Sequence, residues 1–212
     1  MLSSASNPPS RLRVLLFPAS LRKDSHQLRL IDYLARSLSH HYELDRLLPG
    51  EFDLPLFNQD LESREEIRRA MITIHDRFHR ADAIIIASPE YNGSIAPYLK
   101  NTLDWVSRLP RVDPQYATIN PFWGKPALLC SVTTGWSGGI LGLQVGRSLL
   151  AYLGYLVMSE QISISDAGHW IRGETFEFEP SFAASIDRIL LRFGELVHRL
   201  RPENTSSGGN HP

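Results

Sequence analysis

The sequence predicts an α/β domain built on an open, doubly wound parallel sheet. Three observations carry this. Short apolar runs alternate with stretches whose apolar residues recur at helical spacing. One run, Ala83-Ile84-Ile85-Ile86-Ala87, is apolar at every position, as a strand covered on both faces requires. No internal repeat is present, so the alternation reads as right-handed β–α–β crossovers rather than a solenoid.

The elements follow in order. Val14 to Phe17 is the first strand, and Leu28, Ile31, Leu34, Ala35 and Leu38 mark the helix after it. Tyr42 to Leu47 is a weaker second strand. Glu62 to Arg80 is an amphipathic helix through Ile67, Ala70, Met71, Ile74 and Phe78. Ala83 to Ala87 is the third strand, followed by a helix around Leu99 to Val106. Ala127 to Val132 is the fourth strand, Gly139 to Leu153 a helix, Leu156 to Ile164 the fifth strand, and Ser181 to Leu200 the last helix. Residues 11–201 form one domain; 1–10 and 202–212 have the Ser/Pro- and Gly-rich composition of loose tails.

Composition excludes several function classes. The 212-residue chain has a formal net charge of -1, which gives no bulk attraction to nucleic acid or to an acidic membrane. No apolar run reaches transmembrane length, and residues 1–13 carry no long apolar segment of a signal peptide. The single cysteine, Cys130, stands in an apolar run and reads as a core residue. A cytoplasmic location is expected. His75 and His79 have a metal-capable spacing but no third ligand, and read as a solvated helix face; His169-Trp170 reads as a packing or interface pair. No dinucleotide-binding glycine fingerprint and no Walker A string is present.

Chemistry is expected where the strands end, because ligands of such sheets bind at the carboxyl ends of the strands. Three loops qualify. The first, Pro18 to Gln27, places Ser20, Arg22 and Ser25 just before a helix, where free N–H groups and the helix dipole favour an anion. From the residues alone an anion site and an ordinary N-cap by Asp24 or Ser25 both stay open. The second is Ser88-Pro89-Glu90-Tyr91-Asn92-Gly93, a stiff turn with a carboxylate, an aromatic and an amide. The third, Thr133-Thr134-Gly135-Trp136-Ser137-Gly138-Gly139, is glycine-rich enough for close backbone approach to a ligand, or is merely a loose connection.

The string Ser88-Pro89-Glu90-Tyr91-Asn92, followed by Leu99-Lys100-Asn101 and Asp104-Trp105, resembles the signature of the NADPH-dependent FMN reductases, a flavodoxin-like family that includes quinone, chromate and azo-dye reductases. The first loop is similar to that family's phosphate motif, G-S-x-R-x-x-S-x-N. Ser20, Arg22 and Ser25 match; Ala19 stands in place of the Gly and Gln27 in place of the Asn.

The resemblance implies a five-stranded sheet of order 2-1-3-4-5 with helices on both faces, an FMN cofactor, and NADPH or NADH as co-substrate. It implies phosphate contacts from Ser20, Arg22, Ser25 and Gln27. It implies contacts to the ring and ribityl chain from Pro89, Glu90, Tyr91, Asn92 and Gly93, and ring contacts from Thr133, Thr134 and Gly135. Glu90 has a second reading, an outward ion pair. No side chain is assigned as a catalytic acid or base and no metal is expected, since the flavin carries the chemistry. The expected activity passes hydride from nicotinamide to FMN and on to a small quinone-like acceptor by ping-pong kinetics.

Two other classes stay open: a flavodoxin-like electron carrier and a flavin-free interaction module. A homodimer or homotetramer is expected too. The helix at Leu99 to Val106 carries apolar Leu99, Leu103, Trp105 and Val106 over much of its girth. Its alternative cover is the segment from Leu109 to Trp123.

Overall fold

The computed structural model describes residues 11–52 and 54–200; both predicted tails lie outside them. The chain runs β1 (Arg13–Pro18), α1 (His26–Leu38), β2 (Glu43–Arg46), α2 (Glu65–Arg80), β3 (Ala83–Ala87), β4 (Glu90–Tyr91), β5 (Ser94–Ile95), α3 (Pro97–Val112), β6 (Pro126–Val132), α4 (Ile140–Leu153), β7 (Leu156–Val157), β8 (Ile162–Ile164), α5 (Ala167–Trp170), β9 (Ile171–Arg172), β10 (Thr175–Phe176) and α6 (Pro180–Arg199). The parallel sheet has the order β2-β1-β3-β6-β7, with β8 also pairing β6. This is the flavodoxin-like order. The predicted fifth strand is broken: β7 pairs the start of β6 and β8 its end, with Met158–Gln161 between them.

Alternation along each strand divides the core. Val14, Leu16, Ile85, Leu128 and Cys130 pack with Leu30, Ile31 and Leu34 of α1 and with Ile186, Leu190 and Phe193 of α6. Leu15, Phe17, Ile84, Ile86 and Leu129 pack on the opposite face with α2, α3 and α4. Every residue of β3 and β6 is buried, as strands covered on both sides must be. The Cys130 thiol is fully buried and its pKa is pushed up by desolvation, so it is a core residue and no nucleophile.

Two expectations for the helices are corrected. The apolar girth of α3 is covered within the chain. Leu103 and Val106 face the sheet, while Trp105 and Leu109 pack against Ile67 and Met71 of α2, with Leu54, Phe57 and Tyr116 closing over them. Trp105 and Val106 have no exposed area at all, so neither anchors a subunit interface. The cover comes chiefly from α2 and the segment 54–61; of the Leu109–Trp123 segment, Val112 and Tyr116 join it. The helix predicted from Glu62 starts at Glu65, because Glu62 turns away to form a bidentate pair with Arg108 of α3.

His75 is fully buried rather than solvated. Its ring meets Tyr116 edge-on at 5.0 Å, and neither ring nitrogen has a hydrogen-bond partner; Asp76 Oδ1 stands 3.8 Å from Nδ1. Burial holds its pKa below the ordinary histidine value, and the nearby Asp76 carboxylate does not reverse it. The unfolded chain therefore binds a proton near pH 6.5 that the folded chain refuses, so stability falls as pH drops through about 6.5. His26 and His79 are lowered in the same direction. Melting temperatures followed from about pH 7.5 to about 5.5 should decline, and His75→Phe should make that decline shallower. An unchanged slope in the variant would remove His75 from the account.

Candidate active site

Strand register brings the three loops together. Pro18 pairs with Ala87, and Ala87 with Cys130, so β1, β3 and β6 end side by side. The Ala19 N–H donates to Ala87 O at 2.8 Å and the Ser88 N–H to Cys130 O at 2.9 Å, which continues the pairing into the loops.

In the first loop Ser25 is the N-cap of α1: its Oγ accepts the Leu28 N–H at 3.1 Å. Ser20 is buried, and its Oγ accepts the Arg22 N–H at 3.4 Å. The backbone N–H groups of Asp24, Ser25, His26 and Gln27 have no partner among the described residues, and neither does the exposed Arg22 guanidinium. His26 Nδ1 is buried and unpartnered; burial, and after it the charges of Arg22 and Arg29, hold its pKa below the ordinary histidine value. Free amides at a helix N-terminus, two hydroxyls and an open guanidinium suit a phosphate.

Ala19 does not strain the loop. The only non-glycine residues with positive φ among those described are Asn92 and Asp166, so Ala19 adopts an ordinary conformation there. The Gln27 side chain has a partner within the chain. It is buried, and Nε2 donates to Val132 O at 2.8 Å, tying α1 to the end of β6.

The second loop is a hairpin. β4 and β5 pair antiparallel, and Asn92-Gly93 forms the turn at φ 52° and 72°, the positive-φ pair of a type I′ turn. Tyr91 and Asn92 are exposed at its tip, while Pro89 is buried at its base. The Glu90 carboxylate makes no ion pair among the described residues; its partners lie on the third loop and α4. Oε2 accepts the Gly142 N–H in the first turn of α4 at 2.9 Å, and Oε1 lies 3.5 Å from Ser137 Oγ. A carboxylate at a helix N-terminus is stabilised by the dipole. Glu90 thus fastens the second loop to the third.

In the third loop Thr133 Oγ1 donates to Gly135 O at 3.0 Å, and the Asp166 N–H donates to the same carbonyl at 3.1 Å. The N–H groups of Thr134, Gly135 and Trp136 have no partner among the described residues. Gly139 has φ 82°, and a Cβ there would lie 2.0 Å from Ser131 Oγ. The loop is held rather than loose.

Asn101 and Trp105, two residues of the sequence signature, bond to the segment after β2 rather than to these loops. Asn101 Oδ1 accepts the Phe57 N–H at 2.7 Å, and Asn101 Nδ2 and Trp105 Nε1 both donate to Pro55 O. They clamp the segment after β2 onto α3. His169 is exposed and Trp170 stacks on Phe182 at 5.3 Å, a packing pair. Sequence reasoning missed the Glu90 bridge, His26 and the Asn101 clamp. Only the Asn-Gly dipeptide, a hairpin signal, announced any of this locally.

The sheet order, with a phosphate-suited corner after β1 and amide-bearing loops after β3 and β6, defines a mononucleotide-binding flavodoxin-like protein. Residues 12–169 match the family model for NADPH-dependent FMN reductase, and the chain belongs to that family. It is 31% identical over 150 residues to a quinone reductase of Escherichia coli K12, covering 71% of this chain and 75% of that one. It is 36% identical over 134 residues to an NADPH:quinone oxidoreductase of Arabidopsis thaliana, covering 60% and 61%. The solved structure of FerB, a flavoenzyme NAD(P)H:(acceptor) oxidoreductase from Paracoccus denitrificans, superposes with a TM-score of 0.74 at 25% identity, covering 90% of this chain and 98% of that one. The chain is an NAD(P)H-dependent oxidoreductase that uses FMN. Among the described residues no helix is long and apolar enough to cross a membrane, and no metal-binding group of side chains is present.

Proposed function

We propose that this enzyme reduces a small quinone-like acceptor, with the reduced nicotinamide and the acceptor using one opening in turn. The observation that carries the proposal is the convergence of three loops on one sheet edge, with unpartnered donors in the first and third. Ser20, Ser25, Arg22 and the amides of residues 24–27 would hold the FMN phosphate. Tyr91, Asn92 and the amides of Thr134 and Gly135 would meet the ring and ribityl chain; Pro89 and Gly93 shape the turn that presents them, and Thr133 fixes Gly135. Bound FMN supplies the hydride acceptor and donor. The chain's own part is to bind, orient and shield: Glu90 and Gln27 hold the loops at fixed spacing, so that reactants meet a preformed surface. The family's quinone-reducing members support the acceptor class. A cytoplasmic setting suits a nicotinamide-dependent enzyme whose one thiol is buried.

Initial rates with varied NADPH and varied quinone should give parallel double-reciprocal lines. Converging lines, with product inhibition showing a ternary complex, would refute the shared opening.

We assign self-association to α4 rather than α3. Leu141, Val145 and Tyr152 are exposed in one stripe along α4, and Ile95, Pro97, Val145, Leu149 and Tyr152 line a groove of about 590 Å³ beside it. An isologous pairing of this face would bring α4, which starts at the third loop, against its copy. Light scattering should give at least twice 24.0 kDa, and Val145→Glu should shift the mass towards one chain. A fully active 24.0 kDa parent would exclude the assembly.

A further inference from the structure

Trp136 is the most exposed large apolar side chain among the described residues, at 91%. A single exposed apolar residue is ordinary, but this one is carried on a fixed frame. Gly135 O receives two hydrogen bonds, from Thr133 Oγ1 and from the Asp166 N–H. Ser137 Oγ accepts the Gly139 N–H at 3.2 Å, and Gly138 O accepts the Ser163 hydroxyl at 2.9 Å. The indole is therefore held out to water by a backbone pinned on both sides of it.

Nor is it alone. Ser137, the next residue, approaches Glu90, and Tyr91, the residue after Glu90, is 47% exposed. The Glu90–Ser137 approach thus joins two loops that each carry an exposed aromatic. Leu141, also exposed, lies 3.5 Å from where a Cβ on Gly93 would stand, so an apolar side chain borders the second loop there. The one carboxylate at this junction, Glu90, is already engaged by Gly142.

We propose that Trp136, with Tyr91 across the Glu90–Ser137 approach, is an aromatic platform that binds planar conjugated acceptors at the mouth of the site and so determines acceptor specificity. The proposal rests on the oxidoreductase reading above. Flat rings gain from stacked or edge-on contact with indole and phenol. A compact anion such as ferricyanide gains nothing comparable. Because the frame is already ordered, little freedom is lost when an acceptor docks.

The test compares the parent, Trp136→Phe and Trp136→Ala holoenzymes, with NADPH as donor and either 1,4-naphthoquinone or ferricyanide as acceptor. The ratio of kcat/KM for naphthoquinone to that for ferricyanide should fall about tenfold in Trp136→Ala, carried by the naphthoquinone KM rather than by kcat. Trp136→Phe, which keeps a flat ring, should recover most of the loss. An unchanged ratio would overturn the platform. So would an equal loss with both acceptors accompanied by a lower solution mass, which would make Trp136 an interface residue. A parent protein whose flavin NADPH fails to bleach would sink the oxidoreductase reading first, and the platform with it.

Discussion

Gly139→Ala should cost roughly 2–5 kcal/mol of stability and the capacity to retain FMN. The residue sits at φ 82°, and the added methyl would lie 2.0 Å from Ser131 Oγ and 2.6 Å from Ser131 Cβ. A left-handed backbone costs an L-residue about 1–2 kcal/mol, and overpacking of a tight site about 1–3 kcal/mol more. Ser131 cannot give way easily, since it is buried within β6. The third loop would move instead, taking with it the start of α4 to which Glu90 is fastened. Denaturant unfolding checks the stability and equilibrium dialysis the flavin. Gly135→Ala is the control: its added Cβ meets nothing within 4 Å and its φ is not positive, so stability should change by no more than about 0.5 kcal/mol. Equal effects of the two alanines would contradict the loop's proposed rigidity.

Arg22→Ala should weaken FMN binding about ten- to a hundredfold, because a hydrogen bond to a charged group contributes roughly 1.5–3 kcal/mol. Arg22 is exposed and has no side-chain partner among the described residues, so its removal should leave the fold intact. Riboflavin lacks the phosphate, and its affinity should be nearly unaffected. A loss of equal size for both ligands would show that Arg22 acts elsewhere.

The legible part of this molecule was the part written in local pattern. The all-apolar run at Ala83–Ala87 specifies a doubly covered strand whatever surrounds it, and the spacing of Ile31, Leu34, Ala35 and Leu38 specifies a helix face, although Leu30 rather than Leu28 completes it. The sheet order came from the signature residues rather than from alternation, which permits several orders. What the pattern could not give was the direction of polar side chains, because their partners lie far along the chain. Glu90 meets Gly142, Gln27 meets Val132, and Asn101 meets Pro55 and Phe57. The signature string thus contains clamps, and one sequence does not separate them from residues free to meet a ligand. Trp105 and Val106 misled for a related reason. A helix apolar over much of its girth must be covered, but the periodicity does not say whether the cover is a second subunit or, as here, α2 and residues 54–61.

The central claim is that the three loops hold FMN in a form that reduced nicotinamide can reach. Its most direct test is the visible spectrum of the purified protein, saturated with FMN and then mixed with NADPH without air. The flavin bands should appear on binding and bleach rapidly once NADPH is added. A colourless protein that takes up no FMN, or a yellow one that NADPH leaves unbleached, would contradict it.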